Sequence, residues 1–299
     1  MDLLQQTKYL CNLYEVKPAR SKGQNFLIKE EVYDEIIATA DLKSDDVVLE
    51  VGPGLGFLTV KLAVKVKQVI AVELDDKLAE ILRVGLIAQG IKNVEVVNEN
   101  ILKMTNDKFS IACPERSEET NQCQNLNFQT ISNFKFQNTK YKIVANLPFN
   151  ITSIFLRKIL EANIKPELMV LMLQKEVAER IVAKPPKMSL LAVSIQFYAR
   201  PEIIRIVPAN NFWPQPKVDS TIIKLKVKSE KLKVNKEDFF RLVKIGFSSK
   251  RKMLKNNLVN GYKIKSDEVE NKLKNVGLDV KIRAEGLSVD DWLKLFGEF

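Results

Sequence analysis

The chain has no histidine among its 299 residues. That excludes a Ser-His-Asp hydrolase, a histidine-ligated metal and an imidazole acid or base near neutral pH. Chemistry here must need little proton transfer or must rely on carboxylates. Cysteine is scarce: Cys11, Cys113 and Cys123 are an odd number, and no C-x-x-C pair occurs. Neither a disulfide framework nor a thiolate metal site fits that pattern, so no metal is expected. No apolar run reaches the roughly 18 residues of a membrane-spanning helix. The opening MDLLQQTKYLCNLYEVKPAR lacks the basic, apolar and small-residue order of a secretory signal. The expectation is a cytoplasmic protein with no membrane partner. Internal repeats are absent, and acids are outnumbered.

There are 37 Asp and Glu against 47 Lys and Arg, a formal net charge of +10. Such an excess favours a polyanionic partner, nucleic acid before an anionic membrane. A merely basic protein remains the alternative on composition alone. Hydrophobic residues make up 45% of the chain, enough for a full core in one large domain or two.

Hydrophobic patterning shows an alternation. Residues 30–41 read as a helix, Val47–Val51 as a strand, Leu58–Val66 as a helix and Val69–Glu73 as a strand. Lys77–Leu86 is the next helix, Val94–Val97 and Ile143–Ala145 are strands, and Ser153–Ala162 is a helix. Leu168–Leu173 is a strand, Lys175–Val182 a helix, and Ser220–Val227 an alternating segment. This order implies an α/β domain with a parallel sheet covered by helices on both faces. Residues 106–139 are polar, Asn/Gln-rich and without period, and read as a surface insertion. From 229 onward the rhythm is lost, and Asp238–Val259, Ser266–Val276 and Val289–Phe296 read as helices. The expected organisation is a domain over 1–228 and a small helical domain over 229–299.

The sharpest local signal is Glu50-Val-Gly52-Pro-Gly54-Leu-Gly56, between a strand and a helix. Glycines there let backbone approach a ligand, and the helix start offers unpaired N–H groups. Phe57 stands where the dinucleotide fingerprint needs its third glycine. A tight turn without a ligand would also explain the glycines. Glu73 ends the following strand, where a carboxylate can accept from two ribose hydroxyls; a solvated strand-end charge is the alternative.

Gly52-Pro-Gly54-Leu-Gly56, Val72-Glu73-Leu-Asp75 and Asn146-Leu-Pro-Phe149 stand in the order found in S-adenosylmethionine-dependent adenine-N6 methyltransferases. Gly23-Gln-Asn25-Phe-Leu27, Met172-Leu-Gln-Lys-Glu176 and Phe212-Trp-Pro-Gln-Pro-Lys-Val-Asp-Ser220 narrow it. Together they resemble the small-subunit ribosomal RNA adenine N6-dimethyltransferases of the KsgA type, from about Lys17 to Trp292. The resemblance implies a Rossmann-like methyltransferase domain, S-adenosyl-L-methionine as cofactor and 16S ribosomal RNA, within the 30S subunit or its precursor, as partner. It implies that Asn25 and Leu27 cover the cofactor, Gly52, Gly54 and Gly56 form its floor, and Glu73 binds the ribose. The family's aspartate for the cofactor adenine amine matches Asn100, which keeps an acceptor oxygen but loses the charge. The expectation is that Asn100 still receives that bond. Glu99, next to it, should point the other way on a strand.

Methyl transfer from a sulfonium needs no general acid; the difficulty is the nucleophile, since adenine N6 gives its lone pair to the ring. The Asn146 side-chain oxygen, which also borders the cofactor, and the Pro148 carbonyl are candidate acceptors for the N6 hydrogens. Phe149 would stack on the base. Phe212 is the candidate opposite wall, or else a buried loop anchor. Between Phe239 and Ser266 stand Arg241, Lys244, Lys250, Arg251, Lys252, Lys255, Lys263 and Lys265, with no acid. The first six are candidate RNA contacts, against the alternative of a solvated charged face. Lys17, Arg20, Lys22 and Lys29 could add to them. The expectation is a monomeric ribosomal RNA dimethyltransferase. Alternatives are an Erm-type enzyme acting on large-subunit RNA, a non-catalytic assembly factor with a relic pocket, and a nicotinamide dehydrogenase.

Overall fold

The computed structural model describes residues 1–18, 24–104, 140–228 and 234–299. The expected insertion at 106–139 lies outside the described residues, as do Arg20, Lys22 and residues 229–233 at the expected domain boundary. In chain order the elements are α1 (Leu3–Leu13), β1 (Phe26–Leu27), α2 (Glu30–Thr39), β2 (Val47–Val51), α3 (Phe57–Ala63), β3 (Gln68–Glu73) and α4 (Asp76–Ala88). There follow β4 (Val94–Asn98), α5 (Ile101–Met104), β5 (Tyr141–Asn146), α6 (Thr152–Glu161), β6 (Leu168–Gln174), α7 (Lys175–Val182), α8 (Leu190–Tyr198) and β7 (Ala199–Val207). The last are β8 (Phe212–Trp213), β9 (Ser220–Val227), α9 (Lys236–Gly246), α10 (Leu254–Tyr262), α11 (Ser266–Asn275) and α12 (Val289–Phe296). No helix among the described residues is long and apolar enough to cross a membrane.

The chain forms two compact units, Met1–Leu168 with Phe212–Pro214, and Met169–Asn211 with Gln215–Phe299. The division by compactness therefore falls elsewhere than at 228/229. In the first unit the strands run β4-β3-β2-β5, and β2 pairs in parallel with both β3 and β5. Strand β2 (VVLEV) is buried at every position, as a central parallel strand with covered faces must be. Strand β4 is half exposed and carries Glu95 outward, as befits an edge. Asp75 caps α4, its carboxylate accepting from Leu78 N at 3.4 Å, and the helix buries Leu78, Ala79, Ile81, Leu82 and Leu86 on one face. Helix α1, which periodicity did not reveal, brings Cys11 into a cluster with Phe26, Leu55, Leu78 and Ile81.

In the second unit β9 lies between β6 and β7. The sheet has an antiparallel margin that patterning did not announce: β7 pairs with β9 antiparallel, with an irregularity between Ile203 and Arg205. Pro201, which lacks an N–H, sits on β7 at the sheet's edge, where a missing donor is tolerated. An aromatic group of Phe197, Phe239, Phe240 and Phe296 joins α8, α9 and α12.

The expected single helix over Asp238–Val259 is also corrected: α9 stops at Gly246 and α10 begins at Leu254. Fully buried Trp292 presses on Gly246, where an added Cβ would come within 2.3 Å of its ring. Buried Asn257 turns back and donates to the carbonyls of Gly246 at 2.6 Å and Ser249 at 3.2 Å, satisfying acceptors that the helix end leaves open. Replacing Asn257 by Ala leaves both carbonyls short of a donor. The expected outcome is a loss of about 1–3 kcal/mol, read as a lower urea midpoint with an unchanged slope.

Candidate functional site

Parallel strands place their carboxyl ends on one edge, and in the first unit that edge carries the turn after β2, Glu73, residues 98–100 and Asn146. A cleft of about 310 Å³ opens there. Asn25, Leu27, Gly52, Gly54, Glu73, Asn100, Asn146, Pro148, Phe149 and Phe212 all line it. These sequence-predicted positions come from separate stretches of chain, and folding brings them to one place. Gly56 does not line it; it precedes α3 as its cap residue.

The floor is glycine of necessity. Gly52 and Gly54 have φ of +69° and +58°, a region that side chains disfavour. A Cβ on Gly52 would lie 3.4 Å from the Pro148 ring, and one on Gly54 would lie 3.2 Å from Phe26. The turn is thus in close approach to both the Asn146–Phe149 segment and β1. Strand β1 pairs antiparallel with β8, Leu27 opposite Phe212. Phe212 is only 3% exposed, so it is both an anchor and part of the wall.

Glu73 is 7% exposed, and its carboxylate accepts from the amides of Gly54 and Asp75, each at 3.0 Å. Burial raises its pKa above the ordinary carboxylate range, and those amide bonds oppose the shift. Two acceptor oxygens held in place retain lone pairs for further donors. Leu74 beside it is 61% exposed and presents apolar surface to the cleft, a contact that motif reading missed.

Glu50 is the other residue that sequence reasoning passed over, although it begins the glycine motif. It lines the cleft, is 1% exposed, and its Oε2 has no hydrogen-bond partner among the described residues. Burial pushes its pKa up to about 8; the charge of Glu73 adds to this and the Thr59 hydroxyl opposes it. A buried carboxyl without a partner is a signal of a ligand that supplies one.

Asn146 ends β5 half-buried, with no side-chain hydrogen bond among the described residues. The Pro148 carbonyl receives two long bonds, from Ile151 N at 3.2 Å and the Thr152 hydroxyl at 3.4 Å. Both leave it able to take a better donor. Asn100 Oδ1 accepts from Leu102 N at 2.9 Å, starting α5. Strand β4 ends at Asn98, and Glu99, just beyond it, is also among the residues that line the cleft.

Four acids, Glu50, Glu73, Asp75 and Glu99, line the cleft, and no Lys or Arg among the described residues does. In a chain of net charge +10 this pocket is built for a neutral or cationic ligand. A pyrophosphate would find no cation there. The cradle of Gly52 and Gly54, the unpartnered Glu50 oxygen and the Glu73 acceptors fit a ligand with a positive centre, hydroxyls and an apolar ring. Among the described residues no group of three or more His, Cys, Asp or Glu could hold a metal.

The candidate RNA contacts lie in the second unit. Arg241, Lys244, Lys250, Arg251 and Lys252 are exposed. Lys255 is not free: it pairs with Glu270 at 2.7 Å and is mostly covered. The Arg241 guanidinium sits 5.8 Å from the Tyr262 ring centre.

A family model described as ribosomal RNA adenine dimethylase matches residues 17–299. A ribosomal RNA small subunit methyltransferase A from Dehalococcoides mccartyi is 40% identical over 99% of this chain and 94% of its own. One from Clostridium botulinum is 36% identical over 97% and 96%. The crystal structure of the 23S rRNA methyltransferase ErmE superposes with a TM-score of 0.68 at 28% identity, covering 92% of this chain and 99% of that one. A dimethyladenosine transferase from Plasmodium falciparum gives 0.68 at 26%, covering 89% and 94%. The fold is the Rossmann-like one of these methyltransferases.

The state of Glu50 sets a pH dependence. Unfolded, it releases its proton near 4.5; folded, it holds it to about 8. The native state binds more protons in that window, so stability is full below it and falls as pH rises through it. Glu50→Gln cannot ionise. Its melting temperature is expected to exceed that of the unsubstituted protein at pH about 8.5, the gap closing towards pH about 4.5, as followed by calorimetry. Glu73, raised in the same direction, keeps some slope in both proteins.

Proposed function

The chain belongs to the ribosomal RNA adenine dimethylase family, and from that premise we propose that it methylates N6 of two adjacent adenosines near the 3′ end of 16S ribosomal RNA. The methyl donor is S-adenosylmethionine, and the substrate is the small ribosomal subunit or its precursor. The protein works as a cytoplasmic monomer. The observation that carries this reading is the acidic, glycine-floored cleft beside Asn146-Leu147-Pro148-Phe149 in an otherwise basic chain.

S-adenosylmethionine, when bound, supplies an electrophilic methyl on a cationic sulfur whose departure needs no proton. Glu73 takes the ribose hydroxyls, Gly52 and Gly54 allow close backbone approach, and Asn25 and Leu27 cover the site from β1. The demand then falls on the target amine. The Asn146 side-chain oxygen and the Pro148 carbonyl accept its two hydrogens and turn the nitrogen lone pair out of conjugation with the ring. Proline fixes φ and so holds that segment. Phe149 stacks on the extruded base and Phe212 closes the slot. Catalysis is mostly positioning, and a chain without histidine loses nothing by it.

The region 229–299 serves as the RNA-binding part, with Arg241, Lys244, Lys250, Arg251 and Lys252 on phosphates; Lys255, held by Glu270, contributes less. The likeness to ErmE favours a second reading, methylation of large-subunit RNA. Methyl incorporation into isolated small against large subunits separates the two. Labelled-donor turnover separates both from a non-catalytic assembly factor. Mass spectrometry of ribosomal RNA from cells with and without the protein tests the main reading: loss of dimethyladenosine from 16S RNA is expected, and an unchanged pattern refutes it.

Stacking and phosphate binding each have a measurable consequence. Phe149→Ala is expected to lower kcat/KM for RNA by about 10- to 100-fold, the worth of one stacked base, with donor affinity unchanged by calorimetry, while Phe149→Tyr retains activity. Neutralising Lys250, Arg251 and Lys252 together is expected to flatten the plot of log affinity against log salt by roughly 0.7–0.9 for each phosphate that these side chains neutralise. An unaltered slope removes these residues from the RNA surface.

A further inference from the structure

Strand β1 has two residues and forms a two-stranded sheet with the two residues of β8. A ribbon that short has little stability of its own, so its place depends on what holds it. Leu27 stands opposite Phe212, and Phe26 opposite Trp213. Leu27 and Phe212 both line the cleft. One carries the cover of the donor and the other the wall of the base slot, so both belong to one ribbon.

Two anchors reach that ribbon. On one side Phe26 is buried in the cluster of Cys11, Leu55, Leu78 and Ile81, and Trp213 packs against the same cluster. The second anchor comes from α2. The buried Tyr33 donates its hydroxyl to the Leu27 carbonyl at 3.0 Å. Its ring lies 6.5 Å from that of Phe57, between centres. Burial raises the phenol's pKa above its ordinary value, and the charge of Glu50 adds to this, so the hydroxyl remains a donor.

Resting on the donor and base-slot reading above, we propose that Tyr33 is a positioning residue: its hydroxyl pins the β1–β8 ribbon and so sets the donor cover and the base wall before either ligand arrives. With the pin in place, neither ligand has to order the ribbon for the other. Without it, the ribbon is in place for only a fraction of the time. Each ligand alone then loses affinity by that fraction, and whichever binds first restores it for the second. The loss and the new coupling are the same factor.

Two measurements test this in the full chain, in Tyr33→Phe and in Phe26→Leu, which loosens the ribbon from its other side. One is calorimetry with S-adenosylhomocysteine. The other is binding of small ribosomal subunits, taken from cells lacking the protein, with and without that compound at saturation. Loss of one neutral hydrogen bond is expected to weaken S-adenosylhomocysteine binding about 2- to 10-fold in Tyr33→Phe. The compound is then expected to tighten subunit binding, relative to its effect on the unsubstituted protein, by that same factor. Because the two ligands together restore the ribbon, kcat at saturation of both substrates is retained. Phe26→Leu gives the same pattern, and melting curves confirm that each variant is folded. A merely structural loss lowers the melting temperature and adds no coupling. Unchanged affinity for the compound in Tyr33→Phe, or weakened affinity with no added coupling, overturns the assignment and leaves the methyl-donor reading intact. Failure of the unsubstituted protein to bind the compound or the subunits overturns the reading beneath it as well.

Discussion

One carboxylate holds the cleft together. Glu73 closes β3, and its two oxygens accept the amides of Gly54, in the turn after β2, and Asp75, which caps α4. The parallel register sets this up, with Val51 opposite Val72 and Gly52 N bonded to Val72 O at 2.9 Å. The turn can reach the carboxylate only in a left-handed conformation, hence its glycines. Phe26 lies against Gly54 where a side chain would stand, and the strand it belongs to pairs with the one bearing Phe212. Hydrogen bonds to a single side chain thus fix the floor, and packing carries that order to the segments with Asn25 and Phe212.

On the proposed reading, charge is segregated by task. The cleft gathers four acids, while the exposed positions around the α9–α10 turn gather cations. A cationic small ligand and a polyanionic macromolecule need opposite fields, and a uniformly basic molecule would serve only the second. Net charge points to nucleic acid but conceals the acidic pocket, because a sum over the chain says nothing about place.

The parallel half of the fold was legible because its strands are short apolar runs punctuated by glycine and polar turns. The limits of β2, β3, β5 and α7 match patterning to within two residues. What escaped has physical reasons. Helix α8, LLAVSIQFY, is apolar almost throughout and carries no period; β7 is interrupted by Pro201 and a bulge. The break between α9 and α10 depends on Trp292 and Asn257, partners distant in sequence that no local pattern displays. In the site, motif spacing located the cleft but not the behaviour of its acids. Strand alternation cannot be carried on to Glu99, because β4 ends at Asn98 and the alternation ends with it. Glu50 has the sequence setting of an ordinary strand residue, and only burial reveals that its Oε2 has no partner among the described residues.

That carboxyl and the missing histidine express the same constraint. Ionising a group as buried as Glu50 is costly, and the Thr59 hydroxyl does not offset that cost, so it holds its proton past neutrality. An apolar residue of similar size would stabilise the first unit better. On the methyl-donor reading the sign reverses when a cation enters: attraction across a poorly solvated gap offsets the desolvation already incurred. A site working by such compensation needs fixed charges of the right sign more than it needs a group that shuttles protons between reactants. Carboxylates, an amide and a proline carbonyl supply that without an imidazole.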